Sequence, residues 1–135
     1  MAKLILEATI ENEPKVEAFI ASALEGSVCS PRAVKQLNMA VEELFVNIAR
    51  YAYNPDVGLT EVQVEIQQEP LQASITFIDN GVPYDPLAKP DPNTSLSGRE
   101  RELGGLGIFM VKKSMDLVSY KYEDGKNILT IQKKM

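Results

Sequence analysis

Two adjacent segments restrict this chain more than any others: Glu61-Val-Gln-Val-Glu-Ile-Gln-Gln68 and Leu71-Gln-Ala-Ser-Ile-Thr-Phe-Ile78. The first alternates polar and aliphatic residues without a break. At the two-residue period of a strand, this sends every aliphatic side chain to one face. Glu69-Pro70 is turn chemistry, so the second segment returns beside the first as an antiparallel hairpin with one dry face. A dry sheet face has to be covered, and the covering elements are legible upstream. Asn12 as N-cap and Pro14 in the first turn open a helix running to about Leu24, with Val16, Phe19, Ile20 and Ala23 as its apolar stripe and Gly26 as its stop. Ser30-Pro31 opens a longer helix through Tyr53, whose apolar face holds Leu37, Val41, Leu44, Phe45, Ile48 and Ala52.

The remaining pattern completes the sheet. Lys3 to Ile10 reads as a strand with Leu4, Leu6, Ala8 and Ile10 on one side. Leu106 to Asp116 reads as a helix with Ile108, Phe109, Val111 and Met115 available for packing. Leu117–Tyr122 and Asn127–Gln132, joined through Asp124-Gly125, form a second hairpin. The order β, α, α, β, β, loop, α, β, β segregates strands from helices. It predicts an α+β two-layer sandwich, a mainly antiparallel sheet covered on one face by helices, rather than a doubly wound parallel sheet. The 135 residues fit one domain, 1–135, with a core sustained without disulfides, since Cys29 has no partner.

Composition narrows the chemistry. A net charge of −5 without a basic run argues against nucleic acid as a direct partner. No apolar run approaches a membrane span, and Met1-Ala-Lys-Leu-Ile-Leu-Glu7 meets charge before a leader could form, so a cytoplasmic protein with no membrane partner is expected. The chain contains no histidine. That excludes a Ser-His-Asp triad, histidine-bound zinc and a phosphohistidine on this chain, and leaves carboxylates or an unusual lysine as general bases.

Four stretches stand out as carriers of chemistry. Glu43 and Asn47 lie one turn apart beside the apolar stripe of the long helix, where a carboxylate and an amide can converge on one ligand or remain a solvated pair. Arg50 continues the same line. Asp79-Asn-Gly81 ends an apolar strand, which suits either a β-turn or a buried carboxylate accepting from an exocyclic amine, with Gly81 permitting close approach. Residues 79–107 hold five of the eight glycines and four of the eight prolines, the composition of a lid or binding loop. Gly104-Gly105-Leu-Gly107 then feeds a helix N-terminus, where free N–H groups and the helix dipole favour phosphate. It is neither a P-loop nor a Rossmann fingerprint.

Taken in order, Glu43-x-x-x-Asn47, Asp79-x-Gly81, the Pro/Gly-rich segment and Gly105-x-Gly107 resemble the N-box, G1, lid and G2 motifs of the Bergerat-fold ATP-binding family. Within it, Asn47-Ile-Ala-Arg-Tyr-Ala-Tyr53 and Gly104-Gly-Leu-Gly-Ile-Phe-Met-Val-Lys-Lys-Ser-Met-Asp116 are most similar to the bacterial anti-sigma factor serine/threonine kinases of the RsbW/SpoIIAB type. The resemblance runs from about Leu4 to Ile131. It implies an ATP- and Mg²⁺-dependent protein kinase that phosphorylates a small STAS-type anti-sigma antagonist, sequesters a sigma factor in alternation, and forms a homodimer. It further implies Glu43 as the catalytic residue acting on the nucleophile, Asn47 as metal ligand, and Asp79 and Gly81 at the adenine. Gly104, Gly105 and Gly107 would then lie at the phosphates, with a lid at about residues 84–104. Arg99 and Arg101 in that lid either reach the γ-phosphate or stay solvated. Two other readings accompany this one: an ATP-gated interaction module without phosphotransfer, and a stand-alone histidine-kinase-like catalytic domain. The second is disfavoured because the chain has no histidine of its own and no dimerisation helix pair, with a substrate histidine in another protein left open.

Overall fold

The computed structural model describes residues 1–88 and 106–135. Five strands form one sheet in the order β1-β2-β3-β5-β4: β1 Ala2–Glu7, β2 Leu59–Gln67, β3 Gln72–Asp79, β4 Leu117–Glu123 and β5 Lys126–Lys134. Every neighbouring pair is antiparallel. Three helices among the described residues, α1 Glu13–Leu24, α2 Pro31–Tyr51 and α3 Leu106–Ser114, pack on one face of it. This is the α+β architecture that the alternation of β2 demands.

The dry face is built from the expected register. Val62 and Val64 of β2, Ala73, Ile75 and Phe77 of β3, and Leu129 and Ile131 of β5 are all buried. They meet Val16 and Ile20 of α1, Leu37, Val41, Leu44 and Phe45 of α2, and Ile108 and Val111 of α3 in one cluster. The opposite face mixes polar residues with a few aliphatics, among them Ile5, Ile78 and Ile128. Thr76 and Thr130 share a hydroxyl–hydroxyl hydrogen bond of 3.1 Å, and Gln72 donates to Gln132 at 3.0 Å.

The long helix ends at Tyr51, two residues short of the expected Tyr53, and two further differences lie between β1 and α1. The Ser30 hydroxyl accepts from the Ala33 N–H at 3.0 Å with Pro31 in the first turn, a capped start to α2. Asp124 and Gly125 both take positive φ, as a two-residue type I′ turn requires. The strand expected to reach Ile10 instead stops at Glu7, because its last partner is Leu59, the first residue of β2. Ile10 then lies in a 3-10 turn, Ile10–Asn12, half exposed rather than on the core face. Asn12 is the residue before α1 but caps nothing. Its backbone is already helical, and its amide turns back to donate to the Glu7 carbonyl at 2.9 Å.

Candidate functional site

The end of β3, the C-terminal half of α2 and the β4–β5 hairpin enclose a cleft. Its empty space, open mouth included, is about 400 Å³. Leu44, Ile48, Ala52, Val82, Pro86 and Leu129 give it apolar walls, while Asn47, Asp79, Tyr120 and Asn127 supply the polar groups. A mostly apolar cleft with a few convergent polar groups is the usual form of a small-molecule site.

Asp79 is the last residue of β3 and is only 4% exposed. Its Oδ1 accepts from the Gly81 N–H and from the Asn127 amide, each at 2.9 Å. Directly opposite it in β2 stands Thr60, whose buried Oγ1 has no hydrogen-bond partner among the described residues. Gly81 is demanded by the protein itself before any ligand is considered. A Cβ there would fall 2.2 Å from the Ala52 carbonyl oxygen, just past the end of α2. The same carbonyl accepts from Val82 N–H at 3.0 Å, so the chain after Asp79 is fastened to the helix terminus. Tyr53 adds a second fastening. Its hydroxyl donates to the Leu59 carbonyl at 2.6 Å and accepts from the Asn80 N–H at 2.8 Å, and burial holds its phenol above the ordinary value.

Glu43 and Asn47 are neighbours on α2 that face different spaces. Asn47 lines the cleft. Glu43 lines a wider groove between α2 and α3, with Ile10, Arg32, Lys35, Met39, Arg50 and Met110 among its walls. The two touch through a long contact, Asn47 Nδ2 to Glu43 Oε1 at 3.5 Å. This orientation leaves the Asn47 amide oxygen free of that contact. Gly107 sits in the first turn of α3 against the Glu43 carboxylate, where a Cβ would lie 2.2 Å from Glu43 Oε1. The carboxylate therefore rests near the positive end of the α3 dipole. Arg50 is exposed in the groove beside Glu43 and makes no ion pair among the described residues. Gly104, Gly105, Arg99 and Arg101, and the expected lid from residue 89 onward, lie outside the described residues. The described residues at the start of the expected lid belong to the cleft wall: Pro86 is buried and lines it, and the Tyr84 ring sits 5.8 Å from that of Tyr51.

The sequence reading missed Asn127 and Tyr120. Asn127 is 6% exposed, and its side chain bonds Asp79, Val82 and Tyr120 at once. The signal was available: positions 127, 129 and 131 share the buried face of β5, so Asn127 is a polar residue in a core register. The Tyr120 phenol is held above its ordinary value, by burial first and then by the charges of Asp85 and Asp79. It therefore stays protonated and donates to Asn127 Oδ1 at 2.5 Å.

A metal ion finds a limited donor set here. No group of three or more Cys, Asp or Glu among the described residues could hold one. One amide oxygen from Asn47 suits a small hard cation only when phosphates and water complete its shell.

The family model described as histidine kinase-like ATPase domain matches residues 6–133. The serine/threonine-protein kinase BtrW of Bordetella bronchiseptica is 28% identical over 95 residues, covering 70% of this chain and 66% of that protein. The serine-protein kinase RsbW of Listeria monocytogenes serotype 4a is 29% identical over 105 residues, covering 74% of this chain and 66% of that protein. The anti-sigma F factor of Clostridium beijerinckii is 24% identical over 135 residues, covering 98% and 93%. The matches to the two kinases thus span just under two thirds of their length.

Proposed function

This chain belongs to the histidine kinase-like ATPase domain family, and from that membership we propose that it is an ATP- and Mg²⁺-dependent serine/threonine protein kinase acting as an anti-sigma regulator. It phosphorylates a small STAS-type antagonist protein and binds a sigma factor in alternation, as a homodimer in the cytoplasm. The names of its relatives support the kinase and anti-sigma halves of the reading. No helix among the described residues is long and apolar enough to cross a membrane.

The observation that carries the proposal is the division of α2 between two spaces. Asn47 faces the apolar cleft that ends at Asp79, and Glu43, one turn earlier, faces the open groove. A nucleotide seated with its base at Asp79 runs its phosphates past Asn47 and ends beside Glu43 and Gly107. The Asp79 carboxylate takes the exocyclic amine of adenine. Asn47 gives its oxygen to Mg²⁺, which neutralises charge on the phosphates when bound. Gly107, with Gly104 and Gly105 before it, offers backbone N–H groups to the phosphates. Glu43 meets a serine hydroxyl arriving through the groove and accepts its proton. The groove's Arg32, Lys35 and Arg50 face the incoming protein.

Calorimetric titration with ATP and Mg²⁺, followed by transfer from γ-labelled ATP to a serine-bearing antagonist, tests this reading. Asn47→Ala should weaken Mg²⁺-dependent binding at least about tenfold. Glu43→Gln should bind ATP normally and lose transfer by about 100-fold or more, the usual weight of a positioned base. No ATP binding by the wild-type chain would overturn the reading as a whole. A normal rate in Glu43→Gln would remove Glu43 as the base. Tight, Mg²⁺-dependent binding without transfer to any candidate would leave an ATP-gated interaction module instead.

A further inference from the structure

The Asn127 amide has a fixed orientation and a complete set of partners. Its Nδ2 donates to Asp79 Oδ1 at 2.9 Å and to the Val82 carbonyl at 2.8 Å. Its Oδ1 accepts from the Tyr120 hydroxyl at 2.5 Å and from the Tyr84 N–H at 3.2 Å. Reversing the amide would set its oxygen against a carboxylate and a carbonyl, and its NH₂ against a backbone N–H that cannot turn away. The partners therefore dictate the orientation.

The consequence falls on Asp79. A carboxylate oxygen has about two lone-pair sites, and both sites of Asp79 Oδ1 are taken by donors held in place, Gly81 N–H and Asn127 Nδ2. Oδ2 accepts no hydrogen bond among the described residues. Asp79 lines the cleft and is 4% exposed, so Oδ2 is the acceptor left for a ligand. A pinned, charged, acceptor-only oxygen takes an N–H donor and repels a carbonyl.

We propose that Asn127 is the positioning residue that sets base selection in this cleft: it pins Asp79 so that the carboxylate offers a lone acceptor, favouring a 6-amino purine over a 6-oxo purine. The inference rests on the ATP reading above and adds the residue that enforces it. Without the Nδ2 donor, Oδ1 keeps only the Gly81 N–H, so the carboxylate can turn away from the base edge and no longer sets a fixed acceptor against a 6-oxo group; discrimination falls. In Asn127→Asp the shape is kept, but the donor to Asp79 Oδ1 is replaced by an acceptor, so the carboxylate is pushed out of its pinned position.

The probes are ATP and ITP, which differ only at this edge of the base, titrated into the full chain with Mg²⁺. The wild-type chain should prefer ATP by about 100-fold or more, because the amine that Asp79 accepts becomes a repelled carbonyl oxygen in ITP and the N1–H that ITP gains beside it recovers only part of the loss. The preference should fall at least about tenfold in Asn127→Ala and further in Asn127→Asp. Tyr120→Phe frees Asn127 Oδ1 of one donor and should lower the ratio about threefold; it carries the comparison if a residue-127 variant does not fold. A purely structural Asn127 would lower both affinities together. An ATP-to-ITP ratio within about twofold of wild type in the variants would therefore overturn the inference while leaving ATP binding intact. Failure of the wild-type chain to bind either nucleotide would overturn the ATP reading itself, and this inference with it.

Discussion

Replacing Glu13 with glutamine should stabilise the protein at neutral and higher pH and leave it unchanged in acid. Glu13 opens α1 and is 8% exposed, and its Oε1 is buried with no hydrogen-bond donor among the described residues. Burial first, then the proton shared with Glu17 and the charges of Glu17 and Glu42, push its carboxyl from 4.5 to about 7. An acid whose folded value is raised favours folding at low pH. Its contribution is complete below about 4.5 and is lost as pH climbs through about 7. At about 1.4 kcal/mol per pH unit, the full loss is about 3 kcal/mol. Glutamine keeps the shape, carries no charge and brings its own donor for Glu17. Urea denaturation of both proteins from pH 4.5 to 8.5 reads the difference, because titrating groups other than Glu13 and its neighbours Glu17 and Glu42 cancel between them. The two stabilities should coincide near pH 4.5, and the variant should lead by up to about 3 kcal/mol at pH 8. Parallel stability curves across that range would refute the account, as would a wild-type advantage that grows with pH.

Gly81→Ala should cost about 2–4 kcal/mol, measured by the same denaturation. Its Cβ meets a backbone carbonyl, Ala52 O at 2.2 Å, so it must move the chain itself, and nucleotide affinity should fall with it. Gly107→Ala should behave differently. Its Cβ meets the end of the Glu43 side chain, which can swing away, so stability should change by less than about 1 kcal/mol. Transfer to the protein substrate should nonetheless drop tenfold or more in a steady-state assay with saturating ATP. Charge reversal of Arg32 and Lys35 together should raise KM for the protein acceptor severalfold while ATP affinity stays the same. An equal loss in ATP affinity would show that these cations serve the nucleotide.

The sheet was legible because β2 and β3 repeat a two-residue period, and that period places Val62, Val64, Ile75 and Phe77 on the buried face. The long helix was legible for the same kind of reason, with Ser30 and Pro31 marking its start. The ends were harder to read. Alternation from Leu4 to Ile10 cannot report that the partner strand begins only at Leu59, which is what stops β1. At the site, Glu43, Asn47, Asp79, Gly81 and Gly107 could be picked out by motif order, and the structure gathers them around the cleft and its neighbouring groove. The reason for Gly81 was not legible, since its contact with Ala52 joins residues 29 positions apart. Asn127 and Tyr120 stand on a hairpin that motif reading treats as framework. They come into play only because β5 pairs with β3 and sets Asn127 opposite Asp79.

On the proposed reading, that pairing predicts that the two halves of the site tune separately. The proposed base end is held by strand register and by hydrogen bonds that converge on one carboxylate: Asn127 from β5, Tyr120 from β4 behind it, and Gly81 from the loop. The proposed transfer end is held by a contact between two helices, Glu43 of α2 against Gly107 of α3. α2 spans both, and Asn47 sits between them. A change in β5 should therefore alter which nucleotide binds with little effect on where its terminal phosphate lies. A shift of α3 along α2 should alter transfer and leave base choice intact. Affinity ratios for ATP and ITP measured on Gly107→Ala, beside transfer rates measured on Tyr120→Phe with saturating ATP, separate the two ends. Each substitution should move its own readout and spare the other. Coupled losses would mean that α2 itself moves, so that the cleft and the groove respond as one unit.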